Sequence, residues 1–323
     1  MPERVVFMGT PAFAVPSLRA LVDAGYDVVL VVTQPDRPKG RSGEPVPPPV
    51  KVFATSFGLR VFQPERLKDE AAIREILATS PDVIVTAAYG QIVPRPLLEG
   101  PPFGAINVHA SLLPKYRGAA PVAWALIRGE TKTGVTIVKM VEALDAGPIL
   151  AQRETSIYPH ENAAILEARL AEMGAALLVE TLPRYFRGEI EPVPQNEAEK
   201  SFAPLLKKED GALDFQLSAQ ELVWRVRGLT PWPGAFFSAF GERILVYEAQ
   251  AEDEGPFAGA SPGTIVELAD VIRIRAGKGV FVVRRLKPEG RREMTAAEFL
   301  RGRKTWKVGA QVDPPPPRQT LRG

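Results

Sequence analysis

Apolar residues follow two different periods along this chain, and the change of period separates two architectures. Arg4-Val5-Val6-Phe7-Met8 is a short apolar run that stops at Gly9-Thr10-Pro11. Val15, Leu18, Leu21 and Val22 then keep helical spacing until Gly25, so the segment predicts strand, turn, helix. Residues 27–33, DVVLVVT, place valines at successive positions, the pattern of a parallel strand covered on both faces. Further runs of this kind lie at Asp82–Ala87 and Gly104–His109, with a helical stretch around Ala71–Thr79. Strands alternating with helices predict a doubly wound, Rossmann-like α/β domain.

Residues 133–154 predict two strands around a turn at Glu142–Gly147, and Ala163–Phe186 predicts a long helix ending before Gly188. A polar, proline-containing stretch follows, with the composition of a linker. Beyond it the pattern changes. After a short helix at Ala219–Gly228 come runs at Ala235–Phe240, Ile244–Ala249, Gly263–Leu268, Val271–Ala276 and Gly279–Leu286, separated by turn residues. Short strands at such spacing predict a small antiparallel β-barrel, OB-like in size. The expected organisation is a catalytic α/β domain over residues 1–190, a linker over 191–207 and a C-terminal β-barrel over 208–323. The prolines from Pro314 to Pro317 predict an irregular tail.

Length agrees: 323 residues suit two domains. The chain has no cysteine and only two histidines, His109 and His160, which excludes thiolate chemistry and a three-imidazole metal centre within one chain. No metal is expected. The first turn, Gly9-Thr10-Pro11-Ala12, lacks the glycine spacing that brings backbone against a pyrophosphate, so nicotinamide and flavin dinucleotides are not expected. The N-terminus MPERVVFMGT does not have the pattern of a signal peptide, and the longest apolar runs are of strand length. A cytoplasmic protein is the expectation, with no membrane and no obligate protein partner.

The formal net charge of +2 conceals an asymmetry. Residues 271–323 carry 14 Lys+Arg against 4 Asp+Glu, while the remainder is acidic. A polyanion partner and a merely solubilising surface both fit that imbalance. The segment 34–50, QPDRPKGRSGEPVPPPV, has no apolar period and predicts a long exposed loop on the ligand side of the second strand.

Strand alternation puts Asn107 and His109 on one face, about 6–7 Å apart along the backbone. They lie at a carboxyl end, where open α/β sheets bind ligands. From spacing alone, a buried structural Asn–His pair and a pair of chemical groups are both open. Asp145, in the turn Leu144-Asp145-Ala146-Gly147, could be a simple turn residue.

The run from Asn107 to Pro121, Asn-x-His-x-Ser-Leu-Leu-Pro-x-x-Arg-Gly-Ala-Ala-Pro, followed by Leu-Asp-x-Gly, resembles the folate-dependent formyltransferase family. Gly9-Thr10-Pro11-x-Phe13-Ala14, Gln34-Pro35-Asp36-Arg37-Pro38, Ala88-Tyr89-Gly90 and Pro231-Trp232-Pro233 extend the likeness, from residue 5 to about residue 310, to the branch that acts on a charged tRNA. The resemblance implies transfer of a formyl group from 10-formyltetrahydrofolate to the α-amino group of initiator methionyl-tRNA. A formyl-folate hydrolase and a transformylase acting on a small nucleotide-linked amine share the same polar residues. An RNA-binding module without catalysis is a reading of another class.

The resemblance places the catalytic residues at Asn107, His109 and Asp145. An amine attacking a formyl carbon leaves charge on oxygen, and such an oxyanion needs donors already in place. Asn107 and a protonated His109 can supply them, with Asp145 holding the imidazolium. The implied folate segment is Ser111, Leu112, Leu113 and Pro114, with Tyr89, Gly90 and Ile92 as candidates to wall the pterin ring. The implied tRNA contacts are Arg37, Lys39 and Arg41, of which the step Gly40-Arg41 is the acceptor-stem contact. Ser42-Gly43-Glu44 follow it where the family often has basic residues. Lys207, Lys208 and the basic last third would add phosphate contacts that carry no sequence choice. Arg117 is expected to shape a turn as a structural hydrogen bonder, and His160 to be a surface histidine.

Overall fold

Arg4–Gly9 (β1) buries every residue after the first, which is possible only for a strand with neighbours on both edges and layers on both faces. The computed structural model, which describes residues 3–38 and 43–316, places β1 inside a seven-stranded sheet. The following elements are α1 (Val15–Asp23), β2 (Asp27–Val32), β3 (Arg37–Pro38), β4 (Pro45–Val46), α2 (Pro49–Ser56), β5 (Val61–Phe62), α3 (Glu70–Leu77), β6 (Val83–Ala87), α4 (Arg95–Glu99), β7 (Ala105–His109), α5 (Pro121–Ile127), β8 (Lys132–Lys139), β9 (Ile149–Ser156) and α6 (Ala163–Phe186).

The strand order is β5-β2-β1-β6-β7-β8-β9. β5, β2, β1, β6 and β7 are parallel, and β8 and β9 each add antiparallel. The order reverses between β1 and β6, so the crevice outside their carboxyl ends is a topological switch point. Val6, Met8, Leu30, Val32 and Ile84 share one core cluster with Leu67, Ile76 and Leu97. Each such buried side chain contributes about 1.5–3 kcal/mol relative to exposure. β9 alternates half-buried and exposed positions along most of its length instead, as an antiparallel outer strand with one wet face does.

The segment expected to be a plain loop is more ordered. β3 and β4 pair as a short antiparallel ladder, Lys51 meets Asp36 at 2.7 Å, and Gln63 donates to the Gln34 carbonyl and to Asp36. The proline run ends by starting α2, where its fixed φ suits a first helical turn.

The second part contains α7 (Ala219–Leu229), β10 (Ala235–Ala239), β11 (Glu242–Glu252), β12 (Ile265–Leu268), β13 (Ile272–Arg275), β14 (Val280–Pro288), β15 (Met294–Thr295) and α8 (Ala296–Leu300). Its sheet is wholly antiparallel, in the order β10-β11-β14-β13-β12, with β15 on β14. It is a half-barrel. Phe215, Phe237 and Phe281 pack edge to face in its core. α7 begins with a reciprocal cap between Ser218 and Glu221, which satisfies two otherwise orphaned backbone donors. Gln311 bridges Thr264 and Asp313 donates its backbone N–H to the Ser238 carbonyl, so the chain is tied to the sheet nearly as far as the proline run.

The two compact units are not two continuous halves. Residues up to Pro121, 132–157 and 165–204 make one unit, while 122–131 and 158–164 group with the residues from Leu205 onward. Residues 191–204, with the composition of a linker, therefore pack with the α/β unit. The reason is polar: this stretch is held by side-chain and backbone hydrogen bonds that hydropathy does not report.

Candidate active site

The site is assembled where β7 ends. Parallel pairing sets Thr86 of β6 opposite Asn107, and the Thr86 hydroxyl donates to Asn107 Oδ1 at 2.8 Å. That bond orients the amide. Its Nδ2 group has no protein partner among the described residues and is left as a donor at the strand end.

His109, two residues on, is 5% exposed. Its Nε2 lies 2.9 Å from the Tyr116 carbonyl oxygen. A carbonyl only accepts, so Nε2 carries a hydrogen, and the ring's variable proton sits on Nδ1. Nδ1 lies 3.7 Å from Asp145 Oδ2. This is an ion-pair distance when the imidazole is protonated, and too long for a direct hydrogen bond.

Asp145 arrives from the turn between β8 and β9 with φ of 49°, the left-handed region that L residues rarely adopt. Its Oδ2 accepts the Gly118 N–H at 2.8 Å. Gly118 itself has φ of 119°, and a Cβ there would stand 2.7 Å from the Ala203 carbonyl oxygen. No other residue could bring its N–H to that carboxylate without moving the chain.

The Ser-Leu-Leu-Pro loop is anchored from within. Ser111 Oγ donates to the Lys115 carbonyl, and the Thr136 hydroxyl donates to the Ser111 carbonyl. The Leu113 N–H reaches Thr136, and Gln152 donates to the Leu113 carbonyl at 2.7 Å. Ser111 and Leu113 are buried, whereas Leu112 and Pro114 keep some exposure.

Tyr89 does not present its ring to solvent: it joins the core cluster beside Leu67 and Leu97. Burial pushes its hydroxyl pKa up to about 12, and that hydroxyl has no partner among the described residues. Its carbonyl oxygen instead accepts from Thr10 and Gln34 at the switch point. Ile92 is 87% exposed and Leu144, beside Asp145, 65%. Both present aliphatic surface to solvent.

Of the expected tRNA contacts, Lys39 and Arg41 lie outside the described residues. Arg37 is exposed and pairs with Glu65 at 3.3 Å. Lys207 and Lys208 are exposed, and neither ammonium meets a carboxylate among the described residues. His160 stacks its ring on Tyr158.

Sequence reasoning missed Thr86, Tyr116 and Gln195. Thr86 is a middle strand residue whose value depends on parallel register, and Gln195 lies in the apparent linker. Arg117 is indeed a structural hydrogen bonder, but a buried one, contacting Gln195 and Glu197. The two arginine and lysine bonds pull the Glu197 carboxyl down to about 2, Arg117 contributing more than Lys200. Among the described residues, no group of three His, Asp or Glu could hold a metal ion and no helix is long and apolar enough to cross a membrane.

Comparison with known proteins places these residues among relatives. Residues 3–182 match the formyl transferase family, and residues 205–304 match the formyl transferase C-terminal domain. A methionyl-tRNA formyltransferase of Myxococcus xanthus is 47% identical over 302 residues, covering 93% of this chain and 95% of its own. That of Koribacter versatilis is 48% identical over 311 residues, covering 92% and 95%. Among solved structures, WlaRD, a sugar 3N-formyl transferase, superposes with a TM-score of 0.65 at 14% identity over 90% of this chain and 99% of its own. HypX from Aquifex aeolicus in complex with tetrahydrofolic acid gives 0.60 at 18% identity, covering 97% of this chain and 51% of its own. At such identities the structures show a shared fold.

Proposed function

This chain belongs to the methionyl-tRNA formyltransferase family, and from that premise we propose that Asn107, His109 and Asp145 carry the transfer of the formyl group. The reaction moves that group from a folate donor, 10-formyltetrahydrofolate, to the α-amino nitrogen of initiator methionyl-tRNA, the step that prepares translation initiation. The observation that supports this assignment is the convergence of an unpaired amide donor with an imidazole whose exchangeable nitrogen faces a carboxylate.

The folate supplies an activated formyl carbon, and the chain's residues do the rest. The Asn107 amide N–H stabilises the negative charge that grows on the formyl oxygen as the N–C bond forms. His109, held in orientation by Tyr116, releases its Nδ1 proton to the folate nitrogen as that nitrogen's bond to the formyl carbon breaks. The attacking amine sheds one proton, and the His109–Asp145 pair carries it, so the balance is one proton moved from amine to folate. Asp145 keeps the imidazolium in place.

The residues present suit a folate. Ile92, after β6 in the chain, and Leu144, next in sequence to Asp145, offer exposed aliphatic surface, of the kind a flat aromatic ring with polar edges requires. Leu112, Pro114 and the backbone from Ser111 to Pro114 border the same loop, with Gly90 at the switch point. The tRNA is held by cations, namely Lys207, Lys208 and the arginines and lysines of the half-barrel that lack a carboxylate partner, together with Arg37, Lys39 and Arg41. A location in the cytoplasm, where charged tRNA is used, accords with this role.

The test is transfer of labelled formyl from 10-formyltetrahydrofolate to methionyl-tRNA, with free methionine, uncharged tRNA and water as competing acceptors. Label on the charged tRNA alone is the expected result, with loss of transfer in His109→Ala and undiminished tRNA affinity. Folate turnover without labelled tRNA would overturn the acceptor. Full activity in His109→Ala would overturn the catalytic assignment.

A further inference from the structure

Tyr116, with φ of 63°, and Asp145, with φ of 49°, hold strained left-handed backbone without being glycine. Such conformations persist only where neighbours over-determine them. The same short segment secures both. Ser201 Oγ accepts the Tyr116 N–H at 2.9 Å, on the residue whose carbonyl fixes His109. Gln195 Nε2 donates to the Asp145 carbonyl at 2.6 Å and to the Gly147 carbonyl at 2.7 Å, spanning the turn that carries the carboxylate.

The Gln195 amide has no freedom to turn over. Arg117, 4% exposed, gives its side-chain oxygen two hydrogen bonds, from Nε at 3.0 Å and Nη2 at 2.7 Å. Arginine cannot accept a hydrogen bond, so the amide must present its oxygen to Arg117 and both N–H groups to the Asp145 turn. The next residue after Arg117 donates directly to Asp145 Oδ2.

We propose that Arg117 and the 195–201 segment are a positioning device that sets the separation of His109 and Asp145, with Gln195 as its working part. This rests on His109 and Asp145 being the reacting pair. Gln195 touches neither the ring nor the carboxylate, and it acts through the backbone of the turn.

The discriminating substitution is Gln195→Glu. It preserves length and strengthens the contact with Arg117, yet removes both donors and sets carboxylate oxygen against two carbonyls. If Gln195 only anchors the segment to Arg117, the variant keeps wild-type turnover. If it positions Asp145, Gln195→Glu and Gln195→Ala both lower kcat by about ten- to a hundred-fold, as small misplacements of reacting groups do. KM for folate and tRNA would stay within about two-fold, because ground-state binding is untouched.

Thermal unfolding is measured on each variant, so that a kcat loss can be separated from a loss of folded protein. Wild-type kcat in Gln195→Glu, or a loss that follows the unfolded fraction or appears in KM alone, overturns the proposal. Asp145→Asn is the control. If it retains full activity, the catalytic pair itself is wrong; if it is impaired while both Gln195 variants are not, only the positioning role fails.

Discussion

The site in the α/β unit and the sheet of the half-barrel use charged and polar side chains in opposite ways. At the site they converge at a strand end and the turns beside it, buried or half-buried, and each is met by a neighbour: Thr86 on Asn107, Tyr116 on His109, Gly118 on Asp145. In the half-barrel they are spread over the strands and pair mainly as arginine with glutamate. Arg273 meets Glu252 and Glu267, Arg285 meets Glu293, Arg292 meets Glu298, and Arg303 meets Glu242. Much of the basic excess is thereby locally compensated. Arg291, Lys278, Lys287, Lys304 and Lys307 have no carboxylate partner among the described residues, and theirs is the field a phosphate backbone would feel. A buried polar group is specified by direction, whereas a surface cation contributes mainly by number.

The contrast can be broken most forcefully at Arg275, the buried exception in the half-barrel. Its guanidinium serves the Ala276 and Gly279 carbonyls and Glu254, so Arg275→Ala would leave buried acceptors unmet. A loss of about 3 kcal/mol is expected in urea unfolding, without a change in kcat of the folded fraction. A comparable effect on catalysis is expected from Asn107→Ala, which removes an oxyanion donor. The turnover rate should fall about a hundred- to a thousand-fold, with KM little changed in steady-state assays.

Smaller effects sharpen the surface side. Lys304→Ala and Arg291→Ala should each reduce the slope of log affinity for methionyl-tRNA against log salt by up to about one, while Arg273→Ala, already paired twice, changes it less. Filter binding across salt concentrations checks this, and folate affinity should hardly respond to salt. The smallest effect is acid sensitivity at Glu197. Its carboxyl is held near 2, below its ordinary 4.5, so the stability it contributes is present above about pH 4.5 and is lost as pH falls toward 2. Glu197→Gln should flatten the pH dependence of unfolding in that window. Because Glu197 is largely exposed, the difference is expected to be modest.

The periodicity of apolar residues was enough for β1, β2, β6, β7 and α6, whose bounds differ from the pattern by at most a few residues. It was silent on β3, β4, α2 and α8, which are too short or too proline-rich to show a period. Asn107 and His109 were legible because alternation along one strand is local information. The 191–204 stretch was not, because nothing in a polar, proline-containing run reveals which carbonyls its amides will meet. Tyr89 shows the converse: its motif was legible, but a tyrosine in a loop can point either way, and burial among Leu67 and Leu97 took the ring inward.

By itself, then, the sequence determined the longer strands and helices, which face of β7 carries Asn107 and His109, the absence of thiol chemistry and the basic excess of the last third. Those properties are local or additive, and they survive without knowledge of the fold. Tertiary structure alone decided that Asp145 meets His109, that Gln195 spans the Asp145 turn, and which cations among the described residues lack a carboxylate. Each of these depends on the direction of a side chain relative to a residue tens of positions away, and direction is fixed only when the strands and the segments beside them have packed.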